Sequence, residues 1–218
     1  EDLKNTKVEK QPLLPTENNV LKTFSIENEP VVELVNNRER EYIFADLPDI
    51  GYSTDIDTVM ASSYQVKKQL QQIVKIEQPI TNTLLYKRIL RIWNLTRVTT
   101  RLQVFIDSLL EDAYKDPLSG DTIIYWENKE KAKECDFYRI NSKRDILDIP
   151  ILEVMSAARY AIEQQISMPI EDLKRLTSQL LGFSRKGNNL DMVTEQTIQL
   201  LINKGIFSHA NGMVSMNN

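Results

Sequence analysis

The fold is decided by a pattern that occurs twice, as PITNTLLYKRILRIWNLTR over 79–97 and as PIEDLKRLTSQLLGFSR over 169–185. Each occurrence begins with Pro-Ile, continues as an amphipathic helix and ends in a turn that closes on Thr-Arg or Ser-Arg. Both turns lie in stretches that contain bases but no acid, 78–106 and 173–190. Two helix-turn-helix segments with basic, acid-free turns indicate nucleic-acid binding.

The helices and strands around the two turns follow the same order in each half of the chain. In the first half, hydrophobic periodicity predicts three helices and then two strands, at 58–76, 81–93, 99–113, 122–126 and 136–140. In the second half it predicts helices at 151–164 and 169–181, a helix capped by Asp191 or Asn189 and ending at 203, and a hairpin of 206–209 and 213–216. Three helices followed by a hairpin is the winged-helix order.

Charge separates an arm from the two helical halves. Residues 1–60 carry thirteen acids and six bases, a net charge of −7, whereas the remaining residues carry eighteen acids and twenty-one bases, a net charge of +3. The arm is rich in Glu, Asn and Pro, and only 30–35 and 41–44 are strand-like. We therefore predict a mainly α chain with small β-hairpins (α+β), in which tandem winged-helix-like helix-turn-helix units follow an extended acidic arm. The expected division is an arm or linker at 1–56, a first unit at 57–141 and a second unit at 142–218.

The composition is that of a globular protein, with 41% apolar and 27% charged residues in a chain of 218. No apolar run is long enough to span a bilayer, and the N-terminus lacks a signal segment. One cysteine, Cys135, cannot form an internal disulfide and fits a reducing compartment. We expect a cytoplasmic protein without a membrane partner. The absence of an initiator methionine suggests a fragment of a larger polypeptide.

The basic residues of the acid-free stretches are the candidate nucleic-acid contacts. Arg97 and Arg101 flank the start of a third helix, where helix-turn-helix proteins present side chains to the groove or to phosphates. Arg185 and Lys186 occupy the corresponding turn of the second half. The helices before the two turns supply the other four candidates: Arg88, Arg91, Lys174 and Arg175. For Arg88 and Arg91, solvation or pairing with acids of the arm is the alternative. Lysines between 129 and 133 alternate with acids, which is typical of a solvated loop.

Sequence motifs for catalysis are missing from the chain. One histidine, His209, and one cysteine, Cys135, lie on predicted strands or their connections, and neither belongs to a catalytic pattern. A paired-carboxylate nuclease site within 33–49 lacks a lysine at the expected one-residue gap after an acid. No glycine-rich phosphate loop occurs and no acids cluster with His or Cys at ligand spacing. We predict no catalytic residue, no metal, no cofactor and no small-molecule substrate.

A family resemblance is carried by two sets of residues. The first is the run from Ile73 to Ile80, IVKIEQPI, followed by Leu84-Leu85, Arg88-Ile89 and Thr96-Arg97. The second lies downstream and comprises Arg144, Ile149-Pro150, Glu153, Ala157 and the block from Leu180 to Arg185. Together these residues resemble an uncharacterised domain at the C-terminus of large bacterial superfamily 1 helicase-related proteins. That family usually has glycine where this chain has Gln78, so the turn before Pro79 need not share its backbone geometry.

The resemblance implies a DNA context, because in such proteins the domain follows a helicase-like ATPase core and often an endonuclease-like module. Such an arrangement is associated with DNA processing or with defence against phage and other foreign DNA. It implies helicase-like and nuclease-like domains of the same polypeptide as partners, and it assigns no catalytic residue to this region. We predict a non-catalytic nucleic-acid-binding module, DNA being the expected ligand, with phosphate contacts and slight sequence preference. The alternative is a protein-docking or regulatory module that tethers to the ATPase core.

Overall fold

The structure is a computed structural model that describes residues 37–52, 54–117, 122–140 and 143–217. It mixes helices with small sheets. The eight described helices are α1 (Ile56–Ala61), α2 (Ser63–Glu77), α3 (Asn82–Ile92), α4 (Thr100–Leu109), α5 (Lys129–Lys133), α6 (Ile151–Glu163), α7 (Ile170–Leu180) and α8 (Asn188–Asn203). The eight described strands are β1 (Glu39–Glu41), β2 (Ile80–Thr81), β3 (Tyr114–Lys115), β4 (Ile124–Trp126), β5 (Tyr138–Ile140), β6 (Met168–Pro169), β7 (Phe207–Ala210) and β8 (Met213–Met216).

Two parts of the chain have the same order of elements, which we call the first repeat (63–126) and the second repeat (151–216). In each, a helix is followed by a short strand, two more helices and two more strands. The three strands of the first repeat form an antiparallel sheet in the order β2-β4-β3, and those of the second form one in the order β6-β8-β7. In both sheets the last strand in sequence is therefore the central one. The predicted mixed α and β composition is confirmed, whereas the division at 1–56, 57–141 and 142–218 stays a prediction.

Hydrophobic stripes on the helices form the cores. In the first repeat Leu70, Ile73, Leu85 and Ile89 are fully buried against α4, and the central strand β4 is buried along its whole length. In the second repeat a corresponding cluster joins α6, α7, α8 and the sheet. Helical spacing of apolar residues produces these contacts, because residues three and four apart share one face of a helix. The stripes account for the fold and leave the polar faces available for function.

The predicted strands at 122–126 and 136–140 form, but their predicted pairing as a hairpin is wrong. Strand β4 pairs with β2 and β3, whereas β5 pairs in parallel with β1, which lies far away in sequence. The charged segment between them contains the short helix α5, capped by the Asn128 side chain, and is not an open loop. The second predicted hairpin is confirmed. Its connection is Asn211-Gly212, both with positive φ, the geometry that a two-residue hairpin turn requires.

Several predicted boundaries differ from those in the structure. The helix expected at 58–76 is broken at Ser62 into α1 and α2, and the one expected at 99–113 ends at Leu109. Of the strand-like runs in the arm, 30–35 lies outside the described residues. The run 41–44 shares only its first residue, Glu41, with β1. The N-cap of α8 is Gly187 and not Asp191 or Asn189, because the helix begins at Asn188 and both predicted caps lie inside its first turn.

Candidate nucleic-acid interface

The two helix-turn-helix segments have the same backbone register. Elements that begin at Ser63, Ile80, Asn82 and Thr100 recur 88 residues later (151 − 63 = 88), at Ile151, Met168, Ile170 and Asn188. The hydrogen bonds of the turns recur with the same offset. The amide of Leu95 donates to the carbonyl of Leu90 over 2.9 Å, and the amide of Phe183 donates to that of Ser178 over 3.0 Å. These positions are therefore structurally equivalent.

Residues with positive φ reverse the chain at both turns. Asn94, with φ of 50°, ends α3 in the first repeat, and Gly182, with φ of 88°, ends α7 in the second. Asn and Gly are the residues that adopt this left-handed conformation at lowest cost. Arg97 and Arg185 therefore occupy equivalent positions in the two turns, as the sequence predicts. The two Pro-Ile pairs, in contrast, are not equivalent, because Pro79 precedes β2 whereas Pro169 lies within β6 and caps α7.

Four of the eight candidate bases are exposed and have no ion-pair partner among the described residues: Arg91, Arg97, Arg185 and Lys186. Arg91 lies in the last turn of α3, whereas the other three lie in the turn before the third helix of their repeat. Two more candidates are exposed but form surface ion pairs, Arg101 with Asp57 at 2.7 Å and Arg175 with Asp172 at 3.1 Å. Exposed pairs of this kind contribute about 0–1 kcal/mol, so a stronger anion can compete for the base.

The arm covers part of α3. The guanidinium of Arg88 binds Glu77, with Nη2 to Oε2 at 2.9 Å, and also donates to the hydroxyl of Tyr42 at 3.0 Å. Glu77 is fully buried and also accepts hydrogen bonds from the Tyr42 hydroxyl and from the amide of Ala45. Arg91 remains exposed, and its guanidinium lies 5.0 Å from the ring centre of Phe44. The structure therefore places Arg88 in an internal ion pair rather than on an open surface.

Lys174 is also held inside an ion-pair cluster. Its side chain is 9% exposed, and its Nζ lies 2.8 Å from Asp191, 3.1 Å from Glu195 and 3.3 Å from Glu171. Burial opposes the charged form, but the hydrogen bonds that the ammonium group donates to these three carboxylates outweigh burial and raise the pKa of Lys174. The lysine therefore stays charged and offsets part of the negative charge of the two acids of α8, next to the basic turn at Arg185.

The same pair of positions joins the second and third helices of both repeats. In the first repeat the hydroxyl of Tyr86 donates to Asp107 at 2.8 Å, and in the second Lys174 binds Glu195 at the equivalent positions. Burial and the neighbouring Asp107 carboxylate raise the pKa of Tyr86, so the tyrosine remains a hydrogen-bond donor. These contacts fix the angle between the helices on either side of each turn.

A buried ion cluster outside the predicted site connects the two repeats. Glu153 on α6 is fully buried and binds Arg139 at 2.5 Å and Arg144 at 2.7 Å. The guanidinium of Arg139 also donates to the carbonyls of Glu77 at 2.7 Å and of Pro79 at 2.6 Å, in the first repeat. Arg139 thus donates hydrogen bonds both to carbonyl oxygens before β2 and to a carboxylate on α6. These bonds connect the start of β2 with α6.

Tyr42 connects this cluster to the pair formed by Arg88 and Glu77. The ring of Tyr42 faces two guanidinium groups. Its centre lies 4.9 Å from the guanidinium of Arg139 and 4.4 Å from that of Arg144. Burial and the nearby Glu77 carboxylate raise the pKa of Tyr42 to about 12. Residues 37–45 therefore act as a strap that contacts both repeats, and the sequence alone did not predict this role.

Acid is expected to weaken the fold through Glu153. Burial alone would raise the pKa of this carboxyl, but Arg139 and Arg144 outweigh that effect and lower the pKa from 4.5 to about 2. A carboxyl whose pKa is lower in the folded chain stabilises it above pH 4.5, and this contribution is lost as the pH falls toward about 2. Urea unfolding at a series of pH values measures the loss. An equal pH dependence in a Glu153→Gln variant, whose amide does not titrate, would contradict this assignment.

Metal-ligand groups, the single cysteine and the single histidine can be assessed in the described part of the chain. No group of three or more His, Cys, Asp or Glu side chains among them could hold a metal ion. Burial raises the pKa of the Cys135 thiol to about 12, which leaves it protonated and a poor nucleophile. His209 is exposed on β7. Of the helices that are described, none combines the length and the apolar character that crossing a membrane requires.

A known protein family matches part of this region. Residues 61–104 match the family described as "Protein of unknown function (DUF3320)". This segment begins at the end of α1, contains α2, β2, α3 and the first basic turn, and ends within α4. It includes four of the eight candidate bases: Arg88, Arg91, Arg97 and Arg101. No curated protein and no solved structure matches the chain. The matched segment is thus similar to an uncharacterised domain family.

Proposed function

We propose that the chain is a non-catalytic nucleic-acid-binding module in which two winged-helix-like units contact the phosphate backbone of DNA. The observation that carries the proposal is the repetition of an exposed arginine, without an ion-pair partner among the described residues, at one structural position, Arg97 in the first repeat and Arg185 in the second. A position between the second and third helices of such a unit is where the phosphate backbone approaches. Guanidinium groups there would donate to phosphate oxygens.

Four side chains form the core of the proposed interface: Arg97, Arg101, Arg185 and Lys186. They are exposed, and none is covered by the strap. Arg91 and Arg175 are exposed at its edge. Arg88 and Lys174 serve the interface indirectly, because each is engaged with buried or neighbouring carboxylates. Exposure of the turn bases favours this function over docking against the arm.

We extend the same proposal to the polypeptide that contains this module. We infer that the module belongs to a cytoplasmic bacterial helicase-related protein and holds DNA for the ATPase and nuclease modules of that polypeptide. The resemblance of the Glu-x-Pro-Ile run and the block ending at Arg185 supports this context. The module itself would contribute binding and position, since the described residues provide no nucleophile or metal site.

Salt-dependent DNA binding tests the proposal. We expect the chain to bind a labelled duplex of two helical turns, and the affinity to fall steeply as sodium chloride is added. Four phosphate contacts predict a slope of roughly −3.6 in a plot of log affinity against log salt, from about −0.9 per contact. Fluorescence anisotropy with duplex, forked and single-stranded DNA, and with duplex RNA, measures the slope and the preferred ligand. Absence of binding at low salt would overturn the proposal and favour docking to the ATPase core.

A further inference from the structure

Helix α8 exposes a face that carries no charge. Five exposed residues spaced three or four apart lie along it: Asn189, Met192, Gln196, Gln199 and Asn203. Such spacing places them on one side of the helix. The solvent face of a helix ordinarily carries charged residues, so an exposed face of four amides and a methionine is unusual. Asn189 and Gln196 form no side-chain hydrogen bond with another described residue, which leaves their amide groups available.

The acids of α8 flank this face. Asp191 and Glu195 are the only charged residues of the helix, and both bind Lys174 on α7. Their side chains are 67% and 47% exposed, and the lysine offsets part of their negative charge. Arg185 and Lys186 lie just before the start of α8. A polyanion that contacts these two bases would reach the uncharged face beside acids whose charge Lys174 partly offsets.

An exposed apolar side chain occupies the fifth position of the third helix in both repeats. Met192 in α8 is 45% exposed, and Val104, at the equivalent position of α4, is 65% exposed. The neighbouring positions also correspond, Arg101 to Asn189 and Ser108 to Gln196. In the second repeat an apolar group is thus flanked on the same face by two amides, each of which offers a donor and an acceptor.

We infer that the exposed face of α8 reads A·T base pairs in the major groove, an inference that rests on the proposed function. The amides of Asn189 and Gln196 match the N6 donor and N7 acceptor of adenine, and Met192 is placed to contact a thymine methyl group. An α-helix has the diameter that the major groove admits. The phosphate contacts of Arg185 and Lys186 would set the register, and the α8 face would supply a sequence preference that the basic turns alone do not provide.

Selection from a random duplex library tests this inference. The full 218-residue chain is incubated with the library, bound duplexes are amplified over several rounds, and the enriched sequence is determined. We expect an enriched site that contains adenine and thymine at neighbouring positions. Asn189→Ala and Gln196→Ala should each lower the affinity for that site about ten-fold, with the affinity for an unrelated duplex unchanged. Gln165→Ala removes an exposed amide next to α6 and is the matched control, expected to bind as the parent does.

The outcomes separate this inference from the function on which it rests. Base reading by α8 is overturned if DNA binding depends on salt but no sequence is enriched, or if the affinity for an enriched site survives both substitutions. Either result leaves the phosphate-binding function intact. Absence of DNA binding at low salt overturns both. Self-association of the chain that is lost in Gln196→Ala, seen by sedimentation in the absence of DNA, would assign the face to a protein contact and overturn the inference. Because the substituted residues are exposed, circular dichroism should show unchanged folding in every variant.

Discussion

Replacing Glu153 by glutamine is expected to lower the free energy of unfolding by about 3–5 kcal/mol. The carboxylate is fully buried between Arg139 and Arg144, and its loss leaves two buried guanidiniums without a counter-charge. A glutamine side chain keeps the volume of glutamate but offers one carbonyl oxygen in place of two charged ones. Urea denaturation followed by far-UV circular dichroism measures the change, and a variant that does not fold under native conditions gives the same answer.

A matched acid on the same helix provides the control. Glu163 also lies on α6 and binds an arginine, Arg38, with a shortest distance of 2.6 Å, but its side chain is 32% exposed. Glu163→Gln should cost about 1 kcal/mol or less, because water can replace the lost partner. Equal losses in the two variants would show that burial of the ion cluster does not determine its contribution to stability.

A second substitution distinguishes unpaired charge from lost packing. Glu153→Met removes the carboxylate that both guanidiniums share, whereas in Glu153→Met combined with Arg144→Met only the guanidinium of Arg139 remains to lack it. The double variant should therefore be more stable than the single one, since replacing buried ion partners by apolar groups is tolerated better than removing one of them. If the double variant is the less stable, packing by the arginine stem outweighs its charge.

Local signals in the sequence predicted the helices and turns of both repeats well. Asn94 and Gly182 end their helices as expected of residues that tolerate positive φ, and the second hairpin follows from Asn211-Gly212. Pairing between distant segments could not be predicted in this way. The candidate strand at 136–140 joins β1 rather than its neighbour in sequence, because register between strands depends on tertiary contacts and not on local pattern.

The buried ion pairs were the main features that could not be predicted from the sequence. Arginine and glutamate are almost always exposed, so composition favours a surface role for Arg88 and gives no prediction for Glu153. One signal was present, because Glu153 lies four residues before Ala157 and eight before Ala161, on the buried face of α6. The resemblance also rested partly on residues of these pairs, namely Glu77, Arg88, Arg144 and Glu153. In this chain those residues hold the strap and the two repeats together rather than form an exposed site.

The exposed turn bases were predictable because acids are absent around them in sequence. Lys174 differs from them mainly through tertiary structure, since Asp191 and Glu195 reach it from the following helix in addition to Glu171 on its own helix. An acid-free stretch thus identifies bases without local partners, but not bases whose partners come from another helix. The turn bases Arg97 and Arg185 are exposed, and no acid of another described element forms an ion pair with them.

Removing the four bases of the proposed interface is expected to abolish most DNA binding. The quadruple variant Arg97→Ala, Arg101→Ala, Arg185→Ala and Lys186→Ala deletes four phosphate contacts, so the slope of log affinity against log salt should flatten by about 3–4 units. The affinity at low salt should fall on the order of a hundred-fold or more. Stability should change by less than about 1 kcal/mol, because all four side chains are exposed. Fluorescence anisotropy with the same labelled duplex measures both effects.

A charge-matched control separates local contact from the loss of net charge. Lys129→Ala, Lys131→Ala, Lys133→Ala and Lys204→Ala also remove four exposed positive charges, three of them from α5, outside both turns. This variant carries the same net charge as the turn variant, so general attraction to DNA falls equally in both. If contact at the turns determines binding, the control keeps a slope close to that of the parent. Equal loss in both variants would mean that DNA responds to overall charge, and the two repeated turns would then not be the phosphate-binding site.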